Sequence, residues 1–111
     1  MRWIKISETE KISAEPMHFN MTWEEQNNAL KEGERIADYP LLQKLRNEGK
    51  LPMSFWVNVP NPDNISERNG YIAWFDANSY GANLDCSRDP SYRFASLGVL
   101  VVRKSVAFLN P

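Results

Sequence analysis

The strongest local constraint on this fold is a helix-start pattern at residues 22–25. The Thr22 hydroxyl can accept a hydrogen bond from the backbone N–H of Glu25, and the Glu25 carboxylate can accept one from the backbone N–H of Thr22. Such a capping box satisfies two backbone donors that the helix itself leaves unpaired. We therefore predict a helix over residues 23–32 that ends at Gly33, which tolerates a left-handed backbone.

A second helix start follows within the next few residues. Asp38 is a suitable N-cap, and Pro40 lies in the first turn, where its missing N–H loses no hydrogen bond. The leucines that follow have helical spacing: Leu41, Leu42 and Leu45. We predict a second helix that ends at Gly49 and is joined to the first by residues 34–37.

The second half of the sequence is typical of strands. Strands are predicted in three segments rich in aromatic and β-branched residues: residues 54–59, 71–76 and 97–103. A short strand is also expected at Trp3–Ile6, whereas the polar residues 8–17 indicate a loop. Residues 78–90 are rich in Gly, Asn, Ser and Asp, and they indicate a short hairpin or an irregular excursion.

The order of these elements predicts the fold class. Helices first and strands afterwards, with no regular alternation, favour α+β over α/β. We expect two short helices followed by a small, mainly antiparallel sheet with long loops, in which the N-terminal strand lies beside the last strand. The length of 111 residues suits one domain, residues 1–111, with one modest core.

Composition argues against several classes of function. The formal net charge is −1 and the basic residues are scattered, so nucleic acid is not expected as a partner. No stretch approaches about 18 consecutive apolar residues, and the first residues lack the apolar run of a signal peptide, so we expect no membrane association. Cys86 is the only cysteine and can form no disulfide within the chain. Together these features predict a cytoplasmic protein.

Several motifs share the order and spacing of one known family. They are Met21–Glu25, Gly33–Ile36, Asp38–Leu45, Phe55–Trp56, Tyr71–Phe75 and Gly98–Arg103. This arrangement resembles the short bacterial and phage C-type-lectin-like domains, which are related to the formylglycine-generating-enzyme fold and to the C-terminal domain of the collagen-like adhesin. The resemblance covers roughly residues 19 to 104 and implies a C-type-lectin-like fold with a binding role.

The sequence lacks the residues that catalysis would need. Formylglycine-generating enzymes use a pair of reactive cysteines, whereas this chain has Cys86 alone. His18 is the only histidine, so we expect neither a nucleophile–histidine pair nor a zinc site. The Asn, Asp and Glu side chains of residues 61–67 offer oxygen ligands that suit calcium, but this composition is also typical of a turn, which we favour. We therefore predict no catalytic residue, no metal and no cofactor.

The candidate binding residues are aromatic and polar side chains in and around residues 76–94. Tyr and Arg are favoured at binding hot spots, and loops carried by rigid strands are where recognition usually resides. Tyr80 and Tyr92 lie in polar sequence and are the expected exposed anchors. The predicted partner-binding residues are Trp56, Asn58, Trp74, Asp76, Tyr80, Arg88, Tyr92 and Arg93.

These features favour a non-catalytic binding module that engages a protein partner, such as a phage-encoded protein acting on a host or virion protein in the host cytoplasm. A glycan-binding module is the first alternative, because exposed Trp and Tyr rings can stack on sugars. A structural subunit of a virion or larger assembly is the second, because the apolar residues 106–109 could form a subunit contact. An enzyme is disfavoured, since it would need His18 in a pocket or Cys86 activated by Arg88.

Overall fold

A computed structural model of the chain describes residues 2–51, 55–60, 72–78 and 81–104. Its elements in chain order are β1 (Trp3–Lys5), β2 (Glu10–Ser13), α1 (Trp23–Asn28), β3 (Glu34–Ile36), α2 (Tyr39–Asn47), β4 (Phe55–Val59), β5 (Ile72–Asn78), β6 (Gly81–Arg88) and β7 (Val101–Lys104). The strands form two antiparallel sheets, with the orders β1-β2-β7-β3 and β4-β5-β6. A small α+β fold with two helices is therefore confirmed. Neither helix of this described part is long and apolar enough to cross a membrane.

The first helix begins where the capping pattern predicts but ends early. The Glu25 N–H donates to the Thr22 hydroxyl over 3.1 Å, and the Thr22 N–H donates to the Glu25 carboxylate over 2.9 Å. Helix α1 ends at Asn28 because its last turn holds two asparagines, which are weak helix formers. Gly33 has the expected left-handed backbone, with φ of 82°, but it leads into β3 instead of ending the helix.

The second helix is confirmed at both ends. The Asp38 carboxylate accepts a hydrogen bond from the Leu41 N–H over 3.1 Å, which fixes the start of α2. Gly49 follows the end of α2 with a left-handed backbone, φ 72°. The buried side chains of α2 are Leu42 and Leu45.

The interpretation of residues 8–17 as a loop is wrong, because part of this segment forms β2. Strand β2 pairs with β7, and the buried Ser13 hydroxyl accepts a hydrogen bond from the Val101 N–H over 3.0 Å. Residues 34–37, predicted as a link, contain β3, which pairs with the other side of β7. These polar segments become strands because β7 supplies their backbone partners, and local composition does not encode that pairing.

The prediction that the first and last strands are neighbours is also wrong. Strand β1 pairs with β2, and β2 lies between β1 and β7. The turn between β1 and β2 is closed by the Ser7 hydroxyl, which accepts a hydrogen bond from the Glu10 N–H over 3.1 Å. This N-terminal hairpin therefore presents its second strand, not its first, to β7.

The segment before β7 crosses between the two sheets. We predicted one continuous strand over residues 97–103, but β7 covers only its C-terminal part. Ahead of β7, Val99 forms a bridge to Met17 and Gly98 forms a parallel bridge to β4. A Cβ atom at Gly98 would lie 2.5 Å from the Met17 carbonyl oxygen. Glycine is therefore required where these two backbones meet.

The segment over residues 76–94 is more regular than its composition indicates. Strand β5 confirms the described part, residues 72–76, of the strand predicted at residues 71–76, and β6 pairs antiparallel with it as far as Arg88. One register irregularity lies between Ile72 and Trp74. Among the described residues of this segment, the polar excursion is therefore limited to residues 89–94, which follow β6 as a turn.

The main core draws on both sheets and on α2. Its buried members are Ile12, Ala37, Leu42, Leu45, Leu51, Val57, Val59, Phe75, Leu100 and Val102. The Phe75 ring is fully buried and lies 5.9 Å from the Tyr39 ring, measured between centroids. A second cluster contains Ile36, Val99 and Val101, with Trp3, Met17, Trp23 and Leu30 packed against it. Helix α1 is anchored on this second cluster, and that contact positions the candidate site.

Candidate functional site

Two segments far apart in sequence run side by side at the start of α1. The Asn20 N–H donates to the Phe94 carbonyl over 3.2 Å, and the Trp23 N–H donates to the Pro90 carbonyl over 3.0 Å. The turn after β6 is thereby docked on the segment that leads into α1. We name this region the aromatic corner: residues 18–25 and 89–94.

A bidentate ion pair closes the aromatic corner. The Arg93 Nε donates to Glu25 Oε1 over 3.0 Å, and the Arg93 Nη2 donates to Glu25 Oε2 over 2.7 Å. The same carboxylate accepts from the Thr22 N–H, so it acts both in the helix cap and in the ion pair. The hydrogen bond from Arg93, followed by that from Thr22, lowers the pKa of Glu25 from 4.5 to about 2. Glu25 in return raises the pKa of Arg93, so both groups are charged at neutral pH.

The turn itself is held by Asp89. The Asp89 Oδ1 accepts from the Ser91 N–H over 2.9 Å and from the Ser91 hydroxyl over 2.8 Å. These bonds, the backbone one first, lower the pKa of Asp89. A surface groove of about 340 Å³ lies between this turn and α1, lined by Thr22, Trp23, Glu24, Pro90 and Ser91. The turn therefore has a fixed shape and a concave surface beside it.

Two large aromatic side chains of the aromatic corner face solvent. Tyr92 is 61% exposed and Phe19 is 43% exposed. The Tyr92 ring packs edge-on against Phe94, with the ring centroids 5.9 Å apart. Phe19 lies between two non-glycine residues with left-handed backbones, His18 (φ 63°) and Asn20 (φ 57°). Such backbones are strained in residues other than glycine and persist only where the surroundings hold them.

The segment ahead of α1 is held from the protein interior by a buried amide. Gln26 is fully buried, and its Nε2 donates to the carbonyls of His18 and Leu97 over 3.1 Å each. The Gln26 Oε1 accepts from Asn58 Nδ2 over 3.0 Å. The Asn58 N–H donates in turn to the Gly98 carbonyl over 2.9 Å. We name this group the buried seam: Met17, Gln26, Asn58, Leu97 and Gly98.

The predicted binding residues are divided between several places. Tyr92 is an exposed side chain of the aromatic corner, and Arg93 is committed there to its ion pair with Glu25. Trp56 is 50% exposed on β4. Tyr80 lies outside the described residues. The predicted site therefore does not form one surface within the described part of the chain, and the aromatic corner holds two of its members.

Three further predicted residues are placed by their backbones on the second sheet. They are Trp74 and Asp76 on β5 and Arg88 on β6. Across the pairing of β4 with β5, Trp74 lies opposite Asn58 and Asp76 lies opposite Trp56. Trp74 and Asp76 are thus associated with β4, whereas Arg88 lies opposite Ile72 on β5 and directly precedes Asp89 of the aromatic corner.

The prediction that Asn58 contacts a partner is wrong, because its side chain is only 2% exposed. Trp56 and Asn58 are two positions apart on β4, so they point to the same face of the strand. Helix α1 covers the Asn58 end of that face through Gln26, whereas Trp56 remains half-exposed. Strand alternation indicates the shared face but not which part of it a helix covers.

The residues considered for catalysis and metal binding lie in separate places. His18 belongs to the aromatic corner, where its carbonyl is bound by Gln26. Cys86 is placed on β6 by its backbone. Within the described part of the chain, no group of three or more His, Cys, Asp or Glu could hold a metal ion. The segment weighed for calcium, residues 61–67, lies outside that part.

Sequence reasoning missed Phe19 and Gln26. For Phe19 the available signal is the following Asn20, since asparagine is enriched in left-handed backbones. For Gln26 the signal is its spacing from Trp23 and Leu30, which places a polar residue on the apolar stripe of the helix. A buried polar side chain on such a stripe must find hydrogen-bond partners.

Comparison with known proteins gives no assignment. No family model matches the chain. No curated protein and no solved structure matches it either. The C-type-lectin-like resemblance therefore stays a prediction.

Proposed function

We propose that this chain is a non-catalytic binding module of C-type-lectin-like fold that engages a protein partner through the aromatic corner. In this proposal it is a phage-encoded protein that acts in the host cytoplasm on a host or virion protein. The observation that carries the binding role is the pair of exposed rings, Phe19 and Tyr92, on two segments that are hydrogen-bonded to each other.

Rigid exposed aromatics suit protein recognition for a physical reason. A ring buries much apolar area on binding while losing little side-chain freedom, so aromatic residues are enriched at binding hot spots. The backbone under Tyr92 is fixed by Asp89 on one side and by the Arg93–Glu25 ion pair on the other. Because this backbone is ordered before binding, forming the complex costs less conformational entropy.

The surroundings of the two rings also match the anatomy of an interface. Protein interfaces combine an apolar centre with a polar rim that stays accessible to water. Around Phe19 and Tyr92 the corner presents the half-exposed Glu25–Arg93 pair, exposed Glu24 and the groove beside Pro90. Exposed rings and charged side chains thus occur on the same two hydrogen-bonded segments.

Photocrosslinking tests this proposal. A photo-reactive phenylalanine analogue is placed at position 92, or as a matched control at position 56, where Trp56 is about equally exposed. We expect a discrete protein adduct from host lysate with the probe at position 92 and none with the probe at position 56. Equal labelling from both positions, or no adduct at position 92, would contradict a partner site at the aromatic corner.

The captured partner then allows a quantitative check. Tyr92→Ala is expected to weaken its binding about 30-fold, corresponding to about 2 kcal/mol for a hot-spot aromatic. Trp56→Ala is expected to change the affinity by less than about twofold, because it lies outside the aromatic corner. Isothermal titration calorimetry with the two variants measures both effects, and the reverse ranking would assign the site to β4.

Trp56 supports a second candidate function, glycan binding. A half-exposed tryptophan on a strand offers a flat apolar face on which a sugar ring can stack. This hypothesis predicts signal on a broad glycan array that Trp56→Ala removes and Tyr92→Ala retains. An array without signal, in the presence and absence of calcium, removes this candidate.

A further inference from the structure

The hydrogen-bond partners of the Gln26 side-chain amide determine which of its atoms is the nitrogen and which is the oxygen. Both Nε2 hydrogens are used, since this nitrogen donates to the carbonyls of His18 and Leu97. The Oε1 must therefore face Asn58, whose Nδ2 donates to it. Turning the amide over would place oxygen against two carbonyl oxygens, so the network fixes the orientation of the Gln26 side chain.

The carbonyl of His18 is the point where this network reaches the surface. His18 and Asn20 both have left-handed backbones, and Phe19 projects between them with 43% of its surface exposed. The Asn20 N–H is tied to Phe94, which holds the turn on its other side. The strained turn is thus held by one partly buried bond at His18 and one bond at Asn20.

We infer that Gln26 is a positioning residue for the aromatic corner: its buried amide holds the His18 carbonyl and thereby sets the direction in which Phe19 is presented to a partner. This inference rests on the proposed function for its biological meaning, but the positioning itself is a property of the free protein. Without the bond from Gln26, the backbone at His18 and Asn20 relaxes to unstrained conformations and Phe19 loses its fixed direction.

Backbone order measured by ¹⁵N relaxation tests the positioning directly. The variant is Gln26→Met, which keeps the length of the side chain and removes all three hydrogen bonds. We expect the order parameters of Phe19 and Asn20 to fall from about 0.85 to below about 0.6, while that of Ala37 in the core is unchanged. The matched control is Asn28→Met on the exposed part of α1, which is expected to leave all three values unchanged.

A double variant separates positioning from a merely structural role. In Gln26→Met/Asn58→Leu the Asn58 donor that Gln26→Met leaves unpaired is also removed, which is expected to recover part of the loss in melting temperature caused by Gln26→Met. The order parameters of Phe19 and Asn20 should stay low, because the His18 carbonyl still lacks its donor. If they recover together with the melting temperature, or never fall in Gln26→Met, the inference is overturned.

Binding to the crosslinked partner supplies the second readout. Gln26→Met is expected to weaken binding about as much as Phe19→Ala, and the variant Phe19→Ala/Gln26→Met should bind no more weakly than Phe19→Ala alone. Additive losses would contradict positioning through Phe19. The order parameters need no partner, so a failed crosslink overturns the proposed function without deciding the inference, and unchanged order parameters overturn the inference without touching the proposed function.

Discussion

The buried seam and the aromatic corner join the same two parts of the chain by different physical means. Both connect the region around α1 to residues that follow β6. The buried seam uses neutral amide and backbone groups away from water, with Gln26 fully buried. The aromatic corner uses a charged pair, Glu25 and Arg93, with both side chains about half-exposed.

This difference predicts that the buried seam mainly affects the stability of the fold, whereas the aromatic corner mainly affects the orientation of the exposed turn. An unpaired polar group in the interior loses its hydration as well as its hydrogen bond, so breaking the buried seam is expensive. A surface ion pair is screened by salt and exchanges protein contacts for water, so breaking it changes stability little. We therefore expect variants in the buried seam to lower the free energy of unfolding and variants in the aromatic corner to act mainly on the orientation of the turn.

The largest effect is expected for Gly98→Ala. The added Cβ would meet the Met17 carbonyl oxygen at 2.5 Å, and a backbone atom cannot move aside as a side chain can. We expect a loss of about 3 kcal/mol in the free energy of unfolding, measured by urea denaturation. Gly49→Ala is the control, because it has a left-handed backbone but no atom within 4 Å. It should lose only about 1 kcal/mol, and equal losses would argue against a close-approach role for Gly98.

The next effect is expected for Asn58→Leu. It leaves the buried Gln26 Oε1 without its donor, so the free energy of unfolding should fall by about 2 kcal/mol. Asn28→Leu, on the exposed end of α1, is the matched change and should stay within about 0.5 kcal/mol of the wild type. If urea denaturation gives the two variants the same stability, the polar contact between β4 and α1 contributes nothing.

A smaller effect is expected for Thr22→Ala, which removes the cap of α1 within the aromatic corner. The Glu25 N–H loses its acceptor, and loss of a Thr cap typically costs about 1 kcal/mol. Thr22→Ser keeps the hydroxyl and should retain most of the stability. Thermal unfolding followed by circular dichroism checks both, and a Thr22→Ser variant as unstable as Thr22→Ala would show that the methyl group, not the cap, matters.

The smallest effect at neutral pH is expected for Glu25→Gln, which can still cap α1 but carries no charge. The pKa of Glu25 is lowered from 4.5 to about 2 in the folded protein. The stabilisation by its charge is therefore present above pH 4.5 and is lost as the pH falls toward 2. The stability difference between wild type and Glu25→Gln should shrink over this interval.

Salt gives an independent check on the same variant. At about 1 M sodium chloride the screening length is about 3 Å, so the difference between wild type and Glu25→Gln should also shrink at neutral pH. Glu24→Gln, on the same turn of α1, is the control and should show a weaker dependence on both pH and salt. A difference that persists in acid and in high salt would mean that the charge of Glu25 is not what holds the turn.

The elements that sequence predicted are those encoded within a few residues. The capping box at Thr22 and the cap at Asp38 each bring donor and acceptor together inside one helical turn, so their spacing is enough to predict them. Strands β2 and β3 were missed because their stability comes from β7, and β2 has a single buried apolar residue, Ile12. No local pattern records a partner strand that lies at the other end of the chain.

The candidate site was predicted in part for the same reason. Tyr92 and Arg93 stand in polar sequence after the strand-like segments, and that context indicates an exposed turn. Phe19 was missed because composition does not distinguish an exposed phenylalanine from a buried one. Asn58 was misplaced because its burial is decided by Gln26, which lies on a different element.

The pairing of β2 with β7 also determines when this protein can fold. Glu10 lies opposite Lys104 and Ile12 lies opposite Val102, so almost the whole described chain separates the partners. Contacts so distant in sequence slow folding, because a long loop must close before they form. During synthesis β1 and β2 emerge before β7, and until then they have only their own hairpin pairing, which is marginal in water. The main core, which includes Ile12, Leu100 and Val102, therefore closes only once β7 has been synthesised.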